Sequence, residues 1–600
     1  MAVLITSGVV SMRQLNIWLR SRWAPVAGIA IMSFIMIVPQ LLTGSVIVGS
    51  DGIFHFNRIY DTAKQISTGY WSYWQTNFGF QQSGRVVNAV YGPYSAYLMG
   101  ALLVVFRSWY HFQLFTTFAV YLIGGYGMYR LARSAGARMW PAFATAIIFM
   151  NIGWLPRWGL NQNMTALGAA LLPYALACGV HMVRHREQPV QPVRLALIMS
   201  ILIETHVLST IFAVLALIPF WIVAWVRANH RLRMVGRTAA AVGITLVLTA
   251  NVWGAMLLMF STNRIAYPAA FSLAQNVLQI GVGRGSRNEL ALFPLAIIAG
   301  QVVLLLLQRR RTSRLNWCVT AMGVAILLAA SRVMPWALIG RLVPKMSQML
   351  QFPVRMSTIA FPLILCGLAL SLSNMEWSRV SVRRVTSTLV VLAALGVAVP
   401  NVARMTIRSV DVQRSHVLRS FGAMLLLNST PRELRATLHS KHPGAILATA
   451  EKHSSDYLPV NGHQGTGDLS PGSIYKREIL FYHPYFTYTA LPGGRLQISW
   501  HETTAGWQSV PVVTYHQSQV TVNGHRLMQE EYYRSRINAP IVQSRRGKNT
   551  MIVQFRAAWW AELLLWVAPL GWLALGAWCG WRRLRRRQSG VNAKVQADDI

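Results

Sequence analysis

The sequence predicts an α-helical, multi-pass membrane protein of about twelve spans with a β-rich domain toward its C-terminal end. Three observations predict it. Of 600 residues, 54% are hydrophobic and only 12% charged, at a mean hydropathy of +0.37, whereas a soluble protein carries about 25% charged residues. Apolar runs recur through the first 400 positions, and about 20 apolar residues suffice for one span. Between 401 and 556 the pattern changes to a period of two, the mark of half-buried strands.

The first apolar run, Ala24–Thr43, follows Arg13, Arg20 and Arg22 and lacks a small-residue cleavage site. It reads as an uncleaved anchor with a cytoplasmic N-terminus. A polar, aromatic outer loop follows at 44–90, then apolar runs near 91–106, 111–129, 139–155, 165–183, 195–226, 238–260, 290–307, 315–331, 353–373, 385–400 and 558–580. Basic clusters around Arg130, Arg184, Arg227, Arg309, Arg379 and Arg582 read as cytoplasmic loops. For this topology to close, 195–226 must be a hairpin turning at Glu204-Thr205-His206, and one run within 91–129 must be re-entrant or interfacial. The net charge of +38 is carried largely by these clusters, so nucleic acid is not the expected partner. The cysteines, Cys178, Cys318, Cys366 and Cys579, lie in or beside apolar stretches and read as packing residues.

Alternation at 495–500, 510–515, 519–523 and 550–555, with Asn523-Gly524 as a hairpin turn, predicts the strands of the outer domain. The chain thus divides into a membrane domain at 1–400, an extracytoplasmic mixed and β-rich domain at 401–556, and a last transmembrane helix with a basic cytoplasmic tail at 557–600.

Chemistry concentrates in the first outer loop. A helix starting near Asp51 places Asp51, His55 and Arg58 on one face. A carboxylate at a helix N-terminus is stabilised as the anion. It could take a proton from a sugar hydroxyl or hold a metal ion, with His55 sharing the proton and Arg58 binding a phosphate. The plainer alternative is a capped interfacial helix. Gln351-Phe352-Pro353-Val354-Arg355 opens an apolar span, where an arginine is costly without an anionic partner, unless it snorkels to the headgroups. Glu204 and His206 interrupt an apolar run and are candidates to line a cavity, or simply a satisfied turn. Trp74 and its neighbours could stack on sugar rings or form an interfacial aromatic belt. No P-loop, G-x-G-x-x-G, G-x-S-x-G or H-E-x-x-H pattern occurs, which argues against an ATP-driven pump, a dehydrogenase, a lipase or a zinc protease.

An inside N-terminus, one span and an outer loop opening with Asp-Gly-x-x-His-x-x-Arg resemble bacterial membrane proteins of the GT-C glycosyltransferase superfamily. Pro93, Gln351-Phe352-Pro353-x-Arg355 and the outer β-domain add to the likeness. It is most similar in look to the "6-pyruvoyl-tetrahydropterin synthase-related" and YfhO-like membrane proteins, the stretch 483–524 resembling the outer domain of the latter. The resemblance implies a transferase that takes a sugar from a polyprenyl-phosphate donor on the outer face of the bacterial plasma membrane and passes it to an envelope saccharide or lipid. By that likeness Asp51 and His55 would be catalytic, and Arg58 and Arg355 would hold the donor phosphate. Glu204, His206, Gln351 and Trp74 remain cavity-lining candidates. Val354 stands where an aromatic residue is expected, and no paired acidic motif is present. No metal site is therefore assigned, and a divalent metal is left open as cofactor. A flippase for a lipid-linked saccharide and a non-catalytic envelope scaffold are the alternative functions.

Overall fold

The computed structural model describes residues 21–49, 51–281, 288–375, 380–414, 424–481 and 485–598. Of the positions named above, Arg13, Arg20, Arg379 and 483–484 lie outside them.

The helices, in chain order, are α1 Ala24–Thr43, α2 Gly52–Thr68, α3 Pro93–Phe106, α4 Trp109–Ala135, α5 Met139–Asn151, α6 Met164–Arg184, α7 Pro192–Ile203 and α8 Val207–Arg227. Then come α9 Arg231–Leu248, α10 Ala250–Thr262, α11 Leu292–Leu307, α12 Arg314–Ala329, α13 Ser357–Ser373, α14 Val380–Asp411 and α15 Trp559–Asp598. Every residue of α13 is buried, as expected of a helix apolar on all sides. It packs on α4, α5, α6, α11 and α12. By contrast α15 is largely exposed along its apolar length and touches the bundle through α9 and α10. Exposed leucines and valines on α8, α11, α14 and α15 form the surface a bilayer would cover.

Among the described residues six helices are long and apolar enough to cross a membrane, or seven if α9 and α10, bent by 69°, form one broken span. The fold is thus that of a multi-pass helical membrane protein. Full-length spans do not reach the twelve expected, because α3, α5, α7, α11 and α12 have only 10–17 residues each. At 1.5 Å per residue such helices are about 15–25 Å long, short of a hydrocarbon core of about 30 Å. The turn between α7 and α8 falls at 204–206. The boundary expected at 400 is displaced, because α14 runs unbroken to Asp411.

After α14 come a two-stranded sheet of β1 Met424–Leu426 and β2 Ala450–Lys452, then a β-sandwich. Its strands are β3 Thr487–Leu491, β4 Arg495–Glu502, β5 Gly506–Ser509, β6 Ser518–Val522, β7 His525–Leu527, β8 Tyr533–Arg534, β9 Pro540–Ser544 and β10 Gly547–Phe555. A five-stranded sheet in the order β3-β4-β10-β6-β7 faces a three-stranded sheet in the order β8-β9-β5. Leu496, Ile498, Trp500, Val542, Met551 and Val553 fill the space between them. The β6–β7 turn is made by Asn523 and Gly524, both at positive φ, as two-residue hairpins require. The stretch 510–515, expected as a strand, is instead a buried extended segment. Pro511 removes a ladder donor, and the Val513 amide donates to Ser83 O, between α2 and α3, at 2.8 Å.

Candidate functional site

Helix α2 carries polar side chains that are buried on nearly every side, so each needs a partner. Asn57 donates to Glu451 Oε1 at 2.9 Å. Asp61 accepts from Gln65 Nε2 at 2.7 Å and from the Phe78 amide at 2.9 Å. Thr62 Oγ1 donates to Ala96 O at 2.8 Å. These bonds fix α2 against α3, the 77–91 segment and the β1–β2 sheet. Residues 80–82 run through three consecutive left-handed conformations, which cost about 1–2 kcal/mol each for side-chain-bearing residues. Asn57 Oδ1 accepts the Phe80 amide and Gln81 Nε2 donates to Leu447 O, which holds the turn in place.

Asp51 is the N-cap residue of α2, but its carboxylate does not cap the helix. It turns outward, and Lys452 Nζ of β2 lies 2.6 Å from Oδ1 while Asn163 Nδ2 donates to Oδ2 at 3.2 Å. The Asp51 side chain keeps 37% of its surface accessible and that of Lys452 15%, so the carboxylate is partly open while the ammonium is mostly enclosed. Burial pushes the Asp51 carboxyl up, but the charges around it, Lys452 foremost and Arg355 with it, outweigh burial and hold it below the ordinary carboxylate range. Asp51 is therefore an anion at any physiological pH.

His55, one turn on, is buried beside the guanidinium of Arg58, 3.4 Å from its Nδ1. Burial and that charge push His55 down to about 3. Its imidazole is neutral and weakly basic, an orienting group rather than a proton reservoir. Arg58 is buried too, and burial lowers it to about 10, still charged. Its Nε donates to Asn88 Oδ1 at 3.0 Å, Nη2 donates to Tyr91 O, and the guanidinium lies 4.2 Å from the Tyr91 ring centroid. Arg58 is thus committed to fixing the 88–91 segment.

Gly92 follows at φ +57, and a side chain there would run into the carbonyl of Glu204, so this tight approach brings the 204–206 turn onto the site. Glu204 Oε2 accepts the Tyr94 amide at 3.1 Å in the first turn of α3, where a carboxylate is favoured. His206 Nδ1 accepts the Ser209 amide at 3.3 Å and caps α8. His206 also lies within electrostatic reach of both His55 and Arg355.

Arg355 sits in the turn leading into α13. Its Nη1 donates to Leu350 O and to Gln351 Oε1, both at 3.2 Å, and its guanidinium lies 4.7 Å from the Phe352 ring centroid. Gln351, at φ +59, also donates to Ala269 O at 3.0 Å and so orients Arg355. His55 and Arg58 thus lie together one turn from Asp51, Arg355 and His206 lie within electrostatic reach of them, and Gln351 is held through Arg355. Trp74 belongs elsewhere. Its Nε1 donates to Glu562 Oε1 at 3.0 Å and its ring stacks on Phe555 at 5.2 Å, inside a separate apolar cluster.

Two features escape the reading of the sequence. One is Lys452, separated from Asp51 by 401 positions. The other is a cleft of about 500 Å³ between α5, α11, α13 and α14, where Arg157, Arg404 and Arg408 meet Leu278, Phe293 and Phe361. It lies next to the aspartate. Arg408 Nη2 donates to Val48 O at 3.2 Å, Gly49 lies against the carbonyl of Asn161 at the cleft wall, and Val354 and Ser357 line the cleft on either side of Arg355. A charge cluster could have been read from the spacing of Arg404 and Arg408, which share one face of α14. Among the described residues no group of three or more His, Cys, Asp or Glu side chains could hold a metal ion.

No family model and no curated protein matches the chain. Among solved structures it is similar to the arabinofuranosyltransferase AftD from Mycobacteria, with 16% identity and a TM-score of 0.40 over 69% of this chain and 29% of that one. It is similar also to the archaeal oligosaccharyltransferase AglB from Archaeoglobus fulgidus, in complex with an inhibitory peptide and a dolichol-phosphate. There the identity is 14% and the TM-score 0.39, over 66% of this chain and 56% of that one. The chain thus spans under a third of the length of the first and just over half of the second.

Proposed function

We propose that this protein is a glycosyltransferase that takes a sugar from a polyprenyl-phosphate donor at the outer face of a bacterial plasma membrane and passes it to a cell-envelope acceptor. The observation that supports the reading is an ionised, partly accessible aspartate two residues from Gly49, whose backbone packs on Asn161 at the wall of a cleft lined by apolar helices and by Arg157, Arg404 and Arg408 with Glu289 and Asp411. Apolar walls suit a prenyl chain and arginines suit its phosphate.

In this reading Asp51 accepts the proton of an acceptor hydroxyl as that oxygen attacks the anomeric carbon. The bond from the anomeric carbon to the phosphate oxygen breaks, and the electron pair leaves with the polyprenyl phosphate. Arg355 with Arg404 and Arg408 stabilises the charge that develops there. Lys452 and Asn163 orient Asp51, while Arg58 and neutral His55 hold the helix and the 88–91 segment that frame it. Side chains available for a flippase are less well supported, since Glu204 and His206 serve as helix caps.

The test is transfer from a radiolabelled polyprenyl-phosphate sugar by the purified protein in lipid nanodiscs, against Asp51→Asn. Transfer by the wild type that falls at least a hundredfold in the variant supports the reading. Equal rates in the two proteins overturn it.

A further inference from the structure

We propose that the outward face of the β8-β9-β5 sheet is a binding site for a saccharide chain, with Trp507 and Tyr533 as its stacking platform. Strand alternation sets this face. In the central strand β9, Val542 and Ser544 are buried, Val542 within the sandwich, so Ile541 and Gln543 point the other way. Trp507 on β5 lies opposite Gln543, and Tyr533 on β8 lies opposite Ile541. The two outer strands therefore each place one aromatic ring over the middle strand.

The rings meet at 4.7 Å between centroids with 59° between their planes, forming an angled shelf. Even in mutual contact Trp507 remains 52% and Tyr533 63% exposed. Such surface is costly to leave in water at about 25 cal/mol per Å², and unlike the tryptophans of α15 it lies on no membrane helix. The rim is polar: Gln543 and Ser509 opposite Ile541, with Arg545 in the turn that follows β9.

The size of the shelf selects its occupant. An aromatic side chain buries about 150–250 Å² in full, so two half-exposed rings offer roughly 200 Å². A stable protein partner needs about 800 Å² on each side. A pyranose or furanose ring presents an apolar C–H face of the right extent with hydroxyl groups at its edge, which amide, hydroxyl and guanidinium groups can bind. This assignment concerns binding alone and stands whether or not Asp51 performs transfer.

The experiment uses the full chain in lipid nanodiscs and three dye-labelled probes, cellohexaose, xylohexaose and hexagalacturonate, read by fluorescence polarisation. Saturable binding of at least one probe is expected. It weakens at least tenfold in Trp507→Ala and in Tyr533→Ala, stays within threefold in Trp507→Phe, and is unchanged in Met528→Ala, an exposed residue off the face. No saturable binding of any probe, or equal binding by Trp507→Ala, overturns the proposal. In a second measurement a membrane-impermeant maleimide labels Trp507→Cys equally in nanodiscs and in detergent. Protection confined to nanodiscs would assign the shelf to lipid and overturn the proposal as well.

Discussion

The ammonium of Lys452 lies 2.6 Å from the carboxylate of Asp51, and the two residues are 401 positions apart. One stands at the start of the first outer helix and the other at the end of a strand beyond the last helix of the bundle core. The charge that keeps Asp51 ionised is thus supplied by a different part of the chain, and the two can be separated by mutation.

Lys452→Met leaves Asp51 with burial pushing its carboxyl up and fewer charges pulling it down. A carboxylate with a depressed folded pKa adds stability above its ordinary range and loses it as pH falls through the depressed value. Removing Lys452 should therefore move the acid limb of a transfer–pH profile upward, with a smaller loss at high pH. Asp51→Asn, by contrast, should cost about 10²–10⁴-fold at every pH while leaving the thermal midpoint near wild type. Steady-state transfer rates between pH 4 and 9 check both.

Glu451 titrates in the opposite sense. It is fully buried and burial raises it to about 7, so the folded state holds its proton more tightly than the unfolded chain does. Its favourable contribution is present at low pH and lost as pH rises through about 7. Glu451→Gln should match the wild type at pH 5 and exceed it in thermal midpoint at pH 8.5, as measured by nanoscale fluorimetry in detergent. A midpoint that is lower at pH 8.5 would contradict the neutral, buried carboxyl.

Gly49 should not tolerate a side chain. A methyl group there would strike the backbone carbonyl of Asn161, and backbone cannot yield as a flexible side chain does. Gly49→Ala should cost about 1–3 kcal/mol and open the contact between the Asp51 segment and the cleft wall. Lower recovery of monodisperse protein by size exclusion, with transfer lost in what remains, is the expected result.

Two arginines should part company. Arg404 is exposed in the cleft, and Arg404→Ala should raise the KM for a polyprenyl-phosphate donor about tenfold with little change in thermal midpoint. Arg58 is buried and bonded to Asn88 and Tyr91. Arg58→Ala should cost about 3–5 kcal/mol, the penalty for breaking a buried polar arrangement. Donor titrations paired with melting curves distinguish the two.

What was legible in the sequence follows from range. The Asn523-Gly524 turn and the alternation of β4, β6 and β10 are local patterns, and the structure keeps them. The face of α2 that carries Asp51, His55 and Arg58 is likewise a matter of helical period. Spacing does not report which of those side chains stays accessible. Arg58 reads as a phosphate ligand until the 88–91 segment is seen folded over it. Trp74 reads as a sugar contact until Phe555 and Glu562 arrive from nearly 500 positions away. Pro511 argued against a strand at 510–515, but the apolar alternation around it is the stronger local signal. Lys452 and the arginine cleft required tertiary structure, because they join segments that no window spans.

The late arrival of Lys452 also sets a schedule. At about 5–20 residues per second, a ribosome that has just made Asp51 needs roughly 20–80 s to reach the lysine 401 positions on. Throughout that interval the nascent chain carries an aspartate without its counter-charge, while most of the spans have already been handed to the insertion machinery. The Asp51–Lys452 pair can close only after the segment carrying β2 is made, so a chain truncated ahead of it would keep its helices and leave the aspartate unpaired.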